Sequence, residues 1–575
     1  MRIGLCQIDT RVGDLAGNAA RILAAARAAA DAGAELCVLP ELAVTGVPPR
    51  DLLEDDAFVE AALATTHRLA RDLADGPPVL VGTIARTTAR TTTPLPGAPR
   101  RRPLGLPGPP RLHNALALLH RGTLAAVHGK RLLPGYDVFH EPRWFAPAPP
   151  APPFPCPPFP CPPFPGMADP SSVLAAMPIG PLVCEDLWSE GYPEDPAADL
   201  RRQGARLLVC ASASPFRHGV LAARLHHARR AQRPLPTAAP PLPHAPPAAL
   251  VYVNAVGAQD ELIFDGRSFA LDPEGRPLLV LPAFEEAVEV VDLAVPTPTT
   301  FPPPTAPEVD LRAALVLGIR GFARKNGVRR AVLGLSGGID SALVACLAAE
   351  ALGPAAVTAI ALPSRHTDPR STETARALAR ALGIGFEVSP LEPLHAAAEQ
   401  ALAPLLAGAP PGDTTLENIQ ARLRAMVLMA HLNRQGGILL NTSNKTELSL
   451  GYGTLYGDMA GTLCVIGDLT KPQVYALARH IDAGRGLIPP FILERPPSAE
   501  LRDDQVDPFA YPRISPAVEA LIQGDPLPED VTPEEATRFT RMIRGAEHKR
   551  WQAGIVLKVT DRAFGTGRMM PITRA

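Results

Sequence analysis

Short apolar runs recur along the first half of the chain, and each is about as long as one β-strand. Amphipathic stretches with helical spacing, at residues 18–32 and 220–232, separate some of these runs. Alternating strands and helices are typical of a layered α/β unit, so we predict one over residues 1–292. The predicted strands are residues 3–8, 36–39, 79–84, 115–119, 182–184, 207–211 and 250–254.

The second half of the chain has a more regular order of elements. The pattern predicts helix 311–325, strand 331–335, helix 340–352, strand 356–362, helix 371–382 and strand 384–388. Strand–helix–strand units build parallel sheets, so we predict a doubly wound parallel sheet within a domain at residues 308–575. Residues 293–307 are rich in proline and lack strand or helix periodicity, which indicates a linker between the two domains.

Composition narrows the class of protein. The 575 residues are 46% hydrophobic, enough for ordinary globular cores, and carry a net charge of −2, which offers no electrostatic footprint for nucleic acid. The apolar runs are shorter than the ~20 residues of a membrane helix, and Asp9 interrupts the first run too early for a signal peptide. Eight cysteines in so long a chain suit a reducing compartment. We therefore expect a cytoplasmic protein that binds neither membranes nor nucleic acid.

The 68 prolines are about twice the usual share of ~5% and fall in clusters. Besides the linker, they concentrate near residues 93–110, 146–165 and 234–247, which we interpret as loops of polyproline character inserted between strands. Cys156 and Cys161 lie in the second of these clusters. A zinc site would need a second pair of ligands, which the cluster lacks, so we do not predict one there.

A glycine-rich turn follows strand 331–335 and leads directly into a helix. Glycines let the backbone approach a ligand closely, and a helix N-terminus presents unpaired N–H groups to an anion. Ser336 and Ser341 add hydroxyl donors, and Asp340 can hold Mg²⁺ against phosphate oxygens. An ordinary strand–helix turn would leave these three side chains without a role. The predicted ATP-binding residues of this turn are Gly334, Leu335, Ser336, Gly337, Gly338, Ile339, Asp340 and Ser341.

The string Ser-Gly-Gly-Ile-Asp-Ser resembles the pyrophosphate loop of the N-type ATP pyrophosphatases, which adenylate a carboxylate or carbonyl oxygen. Four further motifs resemble those of NAD synthetases in particular, at residues 417–422, 441–447, 451–458 and 558–565. The resemblance implies that Asp340 and Glu447 bind Mg²⁺ and that Thr442 contacts ATP. It places around the substrate deamido-NAD the residues Asn418, Glu447, Tyr452, Gly453, Thr454, Leu455 and Lys558.

Some polar residues near these motifs have a second interpretation. Residues 441–447 also suit a polar N-cap and the first turn of a helix, and capping and binding do not exclude each other. Arg422 and Arg424 are expected to face solvent or a partner chain. Lys471 and Asp458 match loop positions of the family without an assigned role.

Three residues of the first domain form a candidate catalytic set. Cys184, Glu41 and Lys130 each follow an apolar run that predicts a strand. A thiolate is a strong nucleophile that forms only beside a base or a positive charge. Taken singly, a buried cysteine, a solvated lysine and a glutamate that caps a turn are ordinary structural residues. Their order and contexts together resemble the Glu–Lys–Cys triad of the nitrilase superfamily, whose fold is an αββα sandwich.

The nitrilase resemblance implies a role for each residue. Glu41 would be the general base, Cys184 the nucleophile, and Lys130 the cation that stabilises the thiolate and the tetrahedral oxyanion. Glu141 matches a second acidic position that orients the site. His140 stands where the family has an Asp.

Two further strings, residues 213–216 and 259–268, resemble the nitrilase domain of glutamine-dependent NAD synthetases. In that family a Tyr and a Ser hold the polar ends of glutamine. Tyr136 and Ser214 match them, and we place Glu185, beside the nucleophile, in the same glutamine-binding set.

One glutamine contact departs from the family pattern. The basic residue expected six positions after the Ser is Val220 here. A buried carboxylate without a cation is costly, so another residue has to supply the charge. Arg217 and Arg224 are the two candidates, and the sequence does not choose between them.

The two resemblances together imply one reaction. Glutamine would release ammonia at the first site, ATP would adenylate the nicotinate carboxylate of deamido-NAD at the second, and ammonia would displace AMP to give NAD. Ammonia is mostly protonated at neutral pH, and the family resemblance implies a protected channel that carries it. Two alternatives stay open: a synthetase that uses external ammonia, and a plain amide hydrolase with a regulatory nucleotide-binding domain. The family also implies a homo-oligomer.

Overall fold

The chain folds into two compact units. The computed structural model describes residues 1–87, 112–154, 178–233, 248–295, 299–303, 305–408, 410, 412–503 and 505–573. Cys156, Cys161 and the proline clusters at 93–110 and 234–247 lie outside the described residues. The first unit holds Met1–Gln259 with Phe264–Pro304, and the second holds Asp260–Ile263 with Thr305–Ala575. No helix in these ranges has both the length and the apolar character needed to cross a membrane.

The first unit is built from two main sheets with helices beside them. The first sheet contains β1 (Arg2–Gln7), β2 (Leu36–Val38), β3 (Val79–Arg86), β4 (Leu112–His120), β5 (Thr123–Gly129) and β13 (Ala287–Asp292). The second contains β6 (Ile179–Val183), β7 (Leu207–Ser212), β8 (Ala249–Asn254), β11 (Phe269–Leu271) and β12 (Pro277–Val280). A short hairpin pairs β9 (Val256–Gln259) with β10 (Leu262–Asp265). The helices are α1 (Leu15–Asp31), α2 (Asp56–Asp72), α3 (Pro196–Arg202) and α4 (Val220–Gln232).

Alternating side chains of the strands explain the layers of this unit. In β7, Leu207 and Val209 point into the core between the two sheets, while Leu208 and Cys210 point toward the helices. Successive strand residues face opposite sides, so a run that is apolar at every position is buried on both faces. Helices α1 and α2 cover the outer face of the first sheet, and α3 and α4 cover that of the second. The result is an αββα sandwich, as the sequence predicts.

Strand order positions the candidate catalytic residues. The first sheet runs β13-β1-β2-β3-β4-β5, and the second runs β12-β11-β8-β7-β6. Glu41 follows β2 and Lys130 follows β5 in the first sheet, while Cys184 follows β6 in the second. Strands β6, β7 and β8 are parallel neighbours, so their carboxyl ends meet at one edge of the sheet.

The second unit is a single sheet flanked by helices. Its strands are β14 (Ala331–Gly334), β15 (Val357–Ala361), β16 (Gly385–Val388), β17 (Ile438–Asn441), β18 (Leu463–Cys464) and β19 (Ile555–Val556). Its helices are α5 (Pro307–Lys325), α6 (Ile339–Leu352), α7 (Pro369–Leu382), α8 (Glu392–Leu406), α9 (Thr415–Gln435), α10 (Lys445–Leu450), α11 (Lys471–Asp482), α12 (Pro490–Glu494), α13 (Tyr511–Gln523), α14 (Pro533–Gly545) and α15 (Glu547–Arg550). Short 3₁₀ helices in the two units span Arg50–Glu54, Glu141–Arg143, Cys184–Leu187 and Pro354–Ala356.

The sheet of the second unit is parallel and doubly wound, which confirms the predicted fold class. Its order is β16-β15-β14-β17-β18-β19, and every neighbouring pair is parallel. The chain moves outward from β14 on one side and from β17 on the other. Open α/β sheets bind ligands outside the carboxyl ends of the strands at such a switch point. The turn that begins at Ser336 and the segment that begins at Thr442 follow these two strands.

Candidate active sites

The candidate nucleophile lies at the carboxyl end of β6. Cys184 is the first residue of the 3₁₀ helix Cys184–Leu187, and its backbone φ of 43° lies in the left-handed region that residues other than glycine rarely adopt. Such strain costs about 1–3 kcal/mol and clusters at active sites. The side chain is only 5% exposed. A strained, buried thiol at a strand end is therefore a specific feature of this unit rather than a filler of the core.

Lys130 joins two carboxylates beside this thiol. Its Nζ lies 2.8 Å from Glu41 Oε1 and 2.6 Å from Glu141 Oε1, and its side chain is fully buried. Glu41 also accepts a hydrogen bond from Asn114 Nδ2 at 2.7 Å and one from the backbone N–H of Ala213 at 3.0 Å. These contacts hold the carboxylate of Glu41 in one orientation. The structure thus brings together a carboxylate, an ammonium group and a thiol from three strand ends.

Charge and burial set the protonation of the group. Burial alone would lower the pKa of Lys130, but Glu141 and Glu41 raise it well above its usual value, so the ammonium stays charged. Burial raises the pKa of Glu141 to about 7, although Lys130 acts in the opposite direction. Burial, and then the charge of Glu41, raises the pKa of the Cys184 thiol. The resting thiol therefore keeps its proton until a base removes it, which suits Glu41 as that base.

A buried carboxylate that sequence reasoning missed connects the loop after Lys130 with the turn at Cys184. Asp186 Oδ1 accepts hydrogen bonds from the backbone N–H groups of Arg131 and Leu132 at 3.0 and 2.9 Å, and Oδ2 accepts one from Val183 at 3.1 Å. These donors are the two residues after Lys130 and the residue before Cys184. Burial raises the pKa of Asp186 to about 6 despite the three donors. Asp186 therefore fixes the lysine loop relative to the cysteine turn.

The predicted glutamine-binding residues Tyr136 and Glu185 are in contact. The Tyr136 hydroxyl lies 3.0 and 3.1 Å from the two carboxylate oxygens of Glu185, and the Tyr192 hydroxyl donates to Oε1 at 2.9 Å. Burial raises the pKa of Glu185, while Lys130 and the two hydroxyls lower it. A buried carboxylate directly after the nucleophile, held by phenol groups, can receive a cationic group of a small substrate.

The surroundings of Ser214 show where the two candidates lie for the cation that is absent at position 220. Arg224 Nη2 donates to the Ser214 carbonyl at 2.8 Å, and Arg224 also forms a fully buried ion pair with Asp265 at 2.8 Å. Val220 is buried at the start of α4 and brings no charge. The charge of Arg224 is thus already neutralised within the fold. Arg217, the other candidate, is half-buried in the turn before α4.

In the second unit, the loop between β14 and α6 is held by its own serines. Ser341 Oγ accepts the Ser336 N–H at 3.2 Å and donates to the Gly338 carbonyl at 3.1 Å. Gly337 has φ 81°, and a Cβ there would lie 2.4 Å from the carbonyl oxygen of Ser371. Glycine is therefore required at this position for both conformation and space. The loop keeps the start of α6 open toward the edge of the sheet.

Asp340 and Glu447 share a lysine. Lys471 Nζ lies 2.6 Å from Asp340 Oδ2 and 3.1 Å from Glu447 Oε1. Asn444 Nδ2 donates to Asp340 Oδ1 at 2.9 Å, and Asn444 and Glu447 form the capping box of α10. Burial and the charge of Asp340 raise the pKa of Glu447 to about 7, while Lys471 lowers it. The capping interpretation is thus correct, and the capping residue Glu447 also places its carboxylate near that of Asp340.

This donor set fits a magnesium ion that is shared with a phosphate substrate. Among the described residues, no group of three or more His, Cys, Asp or Glu side chains could hold a metal. At nucleotide sites, Mg²⁺ uses one or two protein carboxylates and takes further ligands from phosphate oxygens and water. Asp340 and Glu447 supply two such carboxylates next to the phosphate loop.

A cavity of about 460 Å³ lies at this edge of the sheet. Most of the predicted ligand contacts line it, namely Gly334, Leu335, Ser336, Gly338, Ile339, Asp340, Ser341, Asn418, Thr442, Glu447, Tyr452, Gly453 and Thr454. Gly337, Leu455 and Lys558 lie outside this lining. Lys558 Nζ instead donates to the backbone carbonyls of Thr560 and Asp561 within its own loop.

Arg424 corrects one expectation. It lines the cavity rather than facing solvent or a partner chain, and burial lowers its pKa. Arg422 is exposed, as expected, and its Nε donates to the Leu455 carbonyl at 3.2 Å. Helix α9 thus contributes one arginine to the cavity and one to the surface.

Other contacts hold the loop that follows α10. Thr454 Oγ1 donates to Asn418 Oδ1 at 2.7 Å, which joins the loop to α9. Lys549 Nζ donates to the carbonyls of Gly451 and Gly453 at 2.9 and 2.8 Å, and Lys549 also lines the cavity. Lys549 was not among the residues predicted from the sequence. Its partners lie almost a hundred positions away along the chain, so no local motif indicates it.

Fold and sites together define a two-part enzyme, a carbon–nitrogen hydrolase unit followed by an NAD synthase unit. The family model described as carbon-nitrogen hydrolase matches residues 2–300, and the model described as NAD synthase matches residues 311–553. The chain is 38% identical to the glutamine-dependent NAD(+) synthetase of Synechocystis sp., over 100% of this chain and 98% of that protein. It is also 38% identical to that of Rhodobacter capsulatus, over 99% of this chain and 98% of that protein.

A solved structure is similar over the same length. The glutamine-dependent NAD+ synthetase from Acinetobacter baumannii, in complex with adenosine diphosphate, has a TM-score of 0.70 and 27% sequence identity, and the match covers 99% of this chain and 98% of that one. The chain belongs to the family of glutamine-dependent NAD(+) synthetases. The family resemblance predicted from the sequence is confirmed.

The contacts of Asp186 generate a prediction about backbone protection. An amide has one acceptor oxygen, so Asp186→Asn leaves at least one of the three buried N–H groups facing an NH₂ donor. An unsatisfied buried donor costs about 1–3 kcal/mol, so we expect hydrogen exchange at Arg131, Leu132 or Val183 to become about tenfold faster or more. Exchange measured by mass spectrometry on the peptides that contain these residues tests this.

The matched control for that experiment is Asp272→Asn. Asp272 Oδ1 accepts the backbone N–H groups of Glu274 and Arg276 at 3.0 and 2.8 Å in a turn outside the site. This variant should change exchange only near its own turn. Unchanged protection of the lysine and cysteine loops in Asp186→Asn would show that the carboxylate does not connect them.

Proposed function

We propose that this enzyme forms NAD from deamido-NAD, with ATP to activate the substrate carboxylate and glutamine to supply the nitrogen. We assign glutamine hydrolysis to residues 1–292 and the ATP-dependent step to residues 308–575, with residues 293–307 as the linker. The main support for the proposal is that one chain contains two separate clusters of buried, interacting charged side chains. One contains Cys184 with Glu41 and Lys130, and the other contains the phosphate loop beside Asp340 and Glu447.

In the first reaction, Cys184 Sγ attacks the side-chain amide carbon of glutamine while Glu41 takes the thiol proton. The ammonium of Lys130 stabilises the negative charge that develops on the sulfur and then on the amide oxygen. Glu41 returns the proton to the leaving nitrogen, and ammonia departs from a glutamyl thioester. Water, activated by the same carboxylate, then releases glutamate and regenerates the thiol.

Recognition of glutamine would use groups around the nucleophile. The buried Glu185, held by two phenol groups, suits the α-ammonium of glutamine, and Tyr136 covers it. Arg217 and Arg224 stay the two candidates for the cation that pairs with the α-carboxylate of glutamine, and Arg224 also forms a buried ion pair with Asp265. Ser214 provides a further polar contact. Either arginine would supply the charge that Val220 lacks.

In the second reaction, the nicotinate carboxylate of deamido-NAD attacks the α-phosphate of ATP. A carboxylate is a poor electrophile for ammonia, and adenylation gives its oxygen a good leaving group. The loop Ser336–Ser341 and the start of α6 would hold the departing pyrophosphate. Asp340 and Glu447 would bind Mg²⁺, which neutralises phosphate charge when it is bound. Ammonia then displaces AMP, and NAD is formed.

Each of the two alternative functions would use only one of the two candidate sites. A synthetase that depends on external ammonia does not need the charged group around Cys184, and a plain amide hydrolase does not need paired carboxylates at a phosphate loop. Buried charges of this kind are costly to maintain, so their presence in both units favours the coupled reaction.

We further propose a cytoplasmic homo-oligomer that handles only small-molecule substrates. The cysteines of the described ranges are free thiols, which suits a reducing compartment. Helix α9 exposes the apolar side chains of Leu416, Met426 and Met429, and burial of exposed apolar side chains favours association. Light scattering on the purified chain measures the oligomeric state, and a monomer would contradict this part of the proposal.

The first prediction separates the two sources of nitrogen. Cys184→Ala removes the nucleophile, so glutamine-driven NAD formation should fall about 10³-fold or more. Ammonium at high pH should still support NAD formation, because the second site is unchanged. The two rates are measured side by side with glutamine and with ammonium chloride.

Cys37→Ala is the matched control, since Cys37 is equally buried in the first sheet and outside the catalytic group. It should keep both activities. Loss of ammonium-driven synthesis in Cys184→Ala would mean that this residue does more than supply nitrogen. Full glutamine-driven synthesis in that variant would contradict the assigned nucleophile.

The second prediction concerns the adenylation step. Asp340→Asn removes one of the two carboxylates at the phosphate loop, so AMP formation should fall about 100-fold or more with either nitrogen source. Asp310→Asn, which changes an acidic residue in the first turn of α5, is the control and should leave AMP formation unchanged. Quantifying AMP by chromatography tests both variants. AMP release at the wild-type rate in Asp340→Asn would exclude a role for this carboxylate in the ATP site.

A further inference from the structure

The sulfur of Cys184 has a hydrogen-bond donor that is not part of the triad. Ser212, the last residue of β7, donates from its hydroxyl to Cys184 Sγ over 3.3 Å. Tyr252, on the neighbouring strand β8, places its hydroxyl 2.9 Å from the same Ser212 oxygen. Ser212 and Tyr252 have no exposed surface. A chain of two hydroxyl groups therefore ends on the reacting atom, inside the protein.

The hydroxyl protons determine which group donates and which accepts in the two hydrogen bonds that link Tyr252, Ser212 and Cys184. A serine hydroxyl has one proton, so when Ser212 donates that proton in a hydrogen bond to Cys184, its oxygen can accept a hydrogen bond from Tyr252. Burial raises the pKa of Tyr252, so the phenol keeps its proton and can donate it. Arg224 lies 6.0 Å from the centre of the Tyr252 ring and helps to fix the ring in place. Tyr252 thus aims the single proton of Ser212 at the sulfur.

The charges around Cys184 show why this donor matters. Burial and the charge of Glu41 raise the pKa of the thiol, and Cys210 acts in the same direction, whereas Lys130 and the hydrogen bond from Ser212 lower it. Tyr136, Arg224 and Tyr252 also interact electrostatically with the thiol. Ser212 is a neutral group that contacts the sulfur directly and favours the thiolate. Hydrogen bonds to charged groups are stronger than those to neutral groups.

We propose that Ser212 is a further catalytic residue of the glutamine reaction and that Tyr252 is the positioning residue that directs its hydroxyl. This inference rests on the proposed function, because it concerns the thiolate that attacks glutamine. The Sγ proton passes to a carboxylate oxygen of Glu41, and the sulfur becomes negative. Its electron pair then forms the S–C bond while the π pair of the amide C=O moves to oxygen. The Ser212 proton stays on its own oxygen and stabilises the sulfur before the attack.

Removal of the hydroxyl tests this role. In Ser212→Ala we expect kcat/KM for glutamine to fall about tenfold. Alkylation of Cys184 by iodoacetamide, followed by mass spectrometry of its peptide, should reach half its maximal rate at a pH about one pH unit higher. Ser212→Thr keeps a hydroxyl and should recover most of both losses. A residue that only filled space would not move the pH profile.

Tyr252→Phe tests whether Tyr252 donates the hydrogen bond that orients the Ser212 hydroxyl. It removes the donor to Ser212 and should shift the alkylation profile in the same direction by a smaller amount. In a Ser212→Ala background, Tyr252→Phe should add no further shift, since both act through one hydrogen bond. Independent shifts that add up would contradict the positioning role of Tyr252. If Ser212→Ala does not yield folded protein, the profile of Tyr252→Phe alone decides the proposal.

Thr66→Val is the matched control. Thr66 in α2 and Thr83 in β3 share a buried hydroxyl–hydroxyl contact of 2.7 Å in the same unit. Its removal should leave the alkylation profile unchanged. An unmoved profile in Ser212→Ala would overturn the proposal even if turnover fell, because the loss would then be structural. Failure of the wild-type enzyme to release ammonia from glutamine would instead refute the proposed function, while the alkylation profile would still decide the role of Ser212.

Discussion

A single buried ammonium group holds the first site together. Lys130 lies between Glu41 and Glu141, and without its charge two buried carboxylates would face each other unpaired. Breaking a buried pair in this way costs about 3–5 kcal/mol, whereas a well-packed apolar cluster of the same volume would serve stability equally well or better. The arrangement is therefore explained by chemistry. It keeps a carboxylate and a positive charge beside Cys184, where all three residues are buried.

The second unit also contains a buried lysine between two carboxylates. Lys471 lies between Asp340 and Glu447, and the three side chains come from the starts of three different helices. In the first unit the paired groups lie beside the sulfur atom of Cys184. In the second they lie beside the loop that begins at Ser336. Both sites lie where parallel strands end, because loops at that edge can converge without breaking the sheet.

Local features of the sequence predicted much of this architecture. Helix α4 has the bounds that its periodicity indicates, and the strand before the phosphate loop is β14. Strand β13 was not predicted, because it lies at an edge of its sheet and alternates weakly. Arg424 was wrongly expected at the surface, since the faces of α9 are not clearly separated into apolar and polar sides. The proline clusters outside the described residues stay a prediction.

Some site residues could be predicted from the sequence, and others could be found only in the folded structure. Cys184 and Lys130 follow strands within characteristic strings, so the sequence indicates them, although their roles stay predictions. Asn114, which binds Glu41 from 73 positions away, and Asp186, which binds the lysine loop from more than 50 positions away, have no local signal. Asn114 and Glu41 become neighbours through the strand order of the first sheet, and Asp186 reaches the lysine loop from the end of a strand of the second sheet. Long-range hydrogen bonds of this kind are visible only in the folded chain.

The central claim is that nitrogen released beside Lys130 is consumed at the phosphate loop of the same enzyme. Glutamine labelled with ¹⁵N in its side-chain amide, supplied together with excess unlabelled ammonium at neutral pH, tests this claim most directly. Mass spectrometry of the product should find the label in the carboxamide of NAD in most molecules. An unlabelled carboxamide, with the ¹⁵N recovered as free ammonium, would contradict the account.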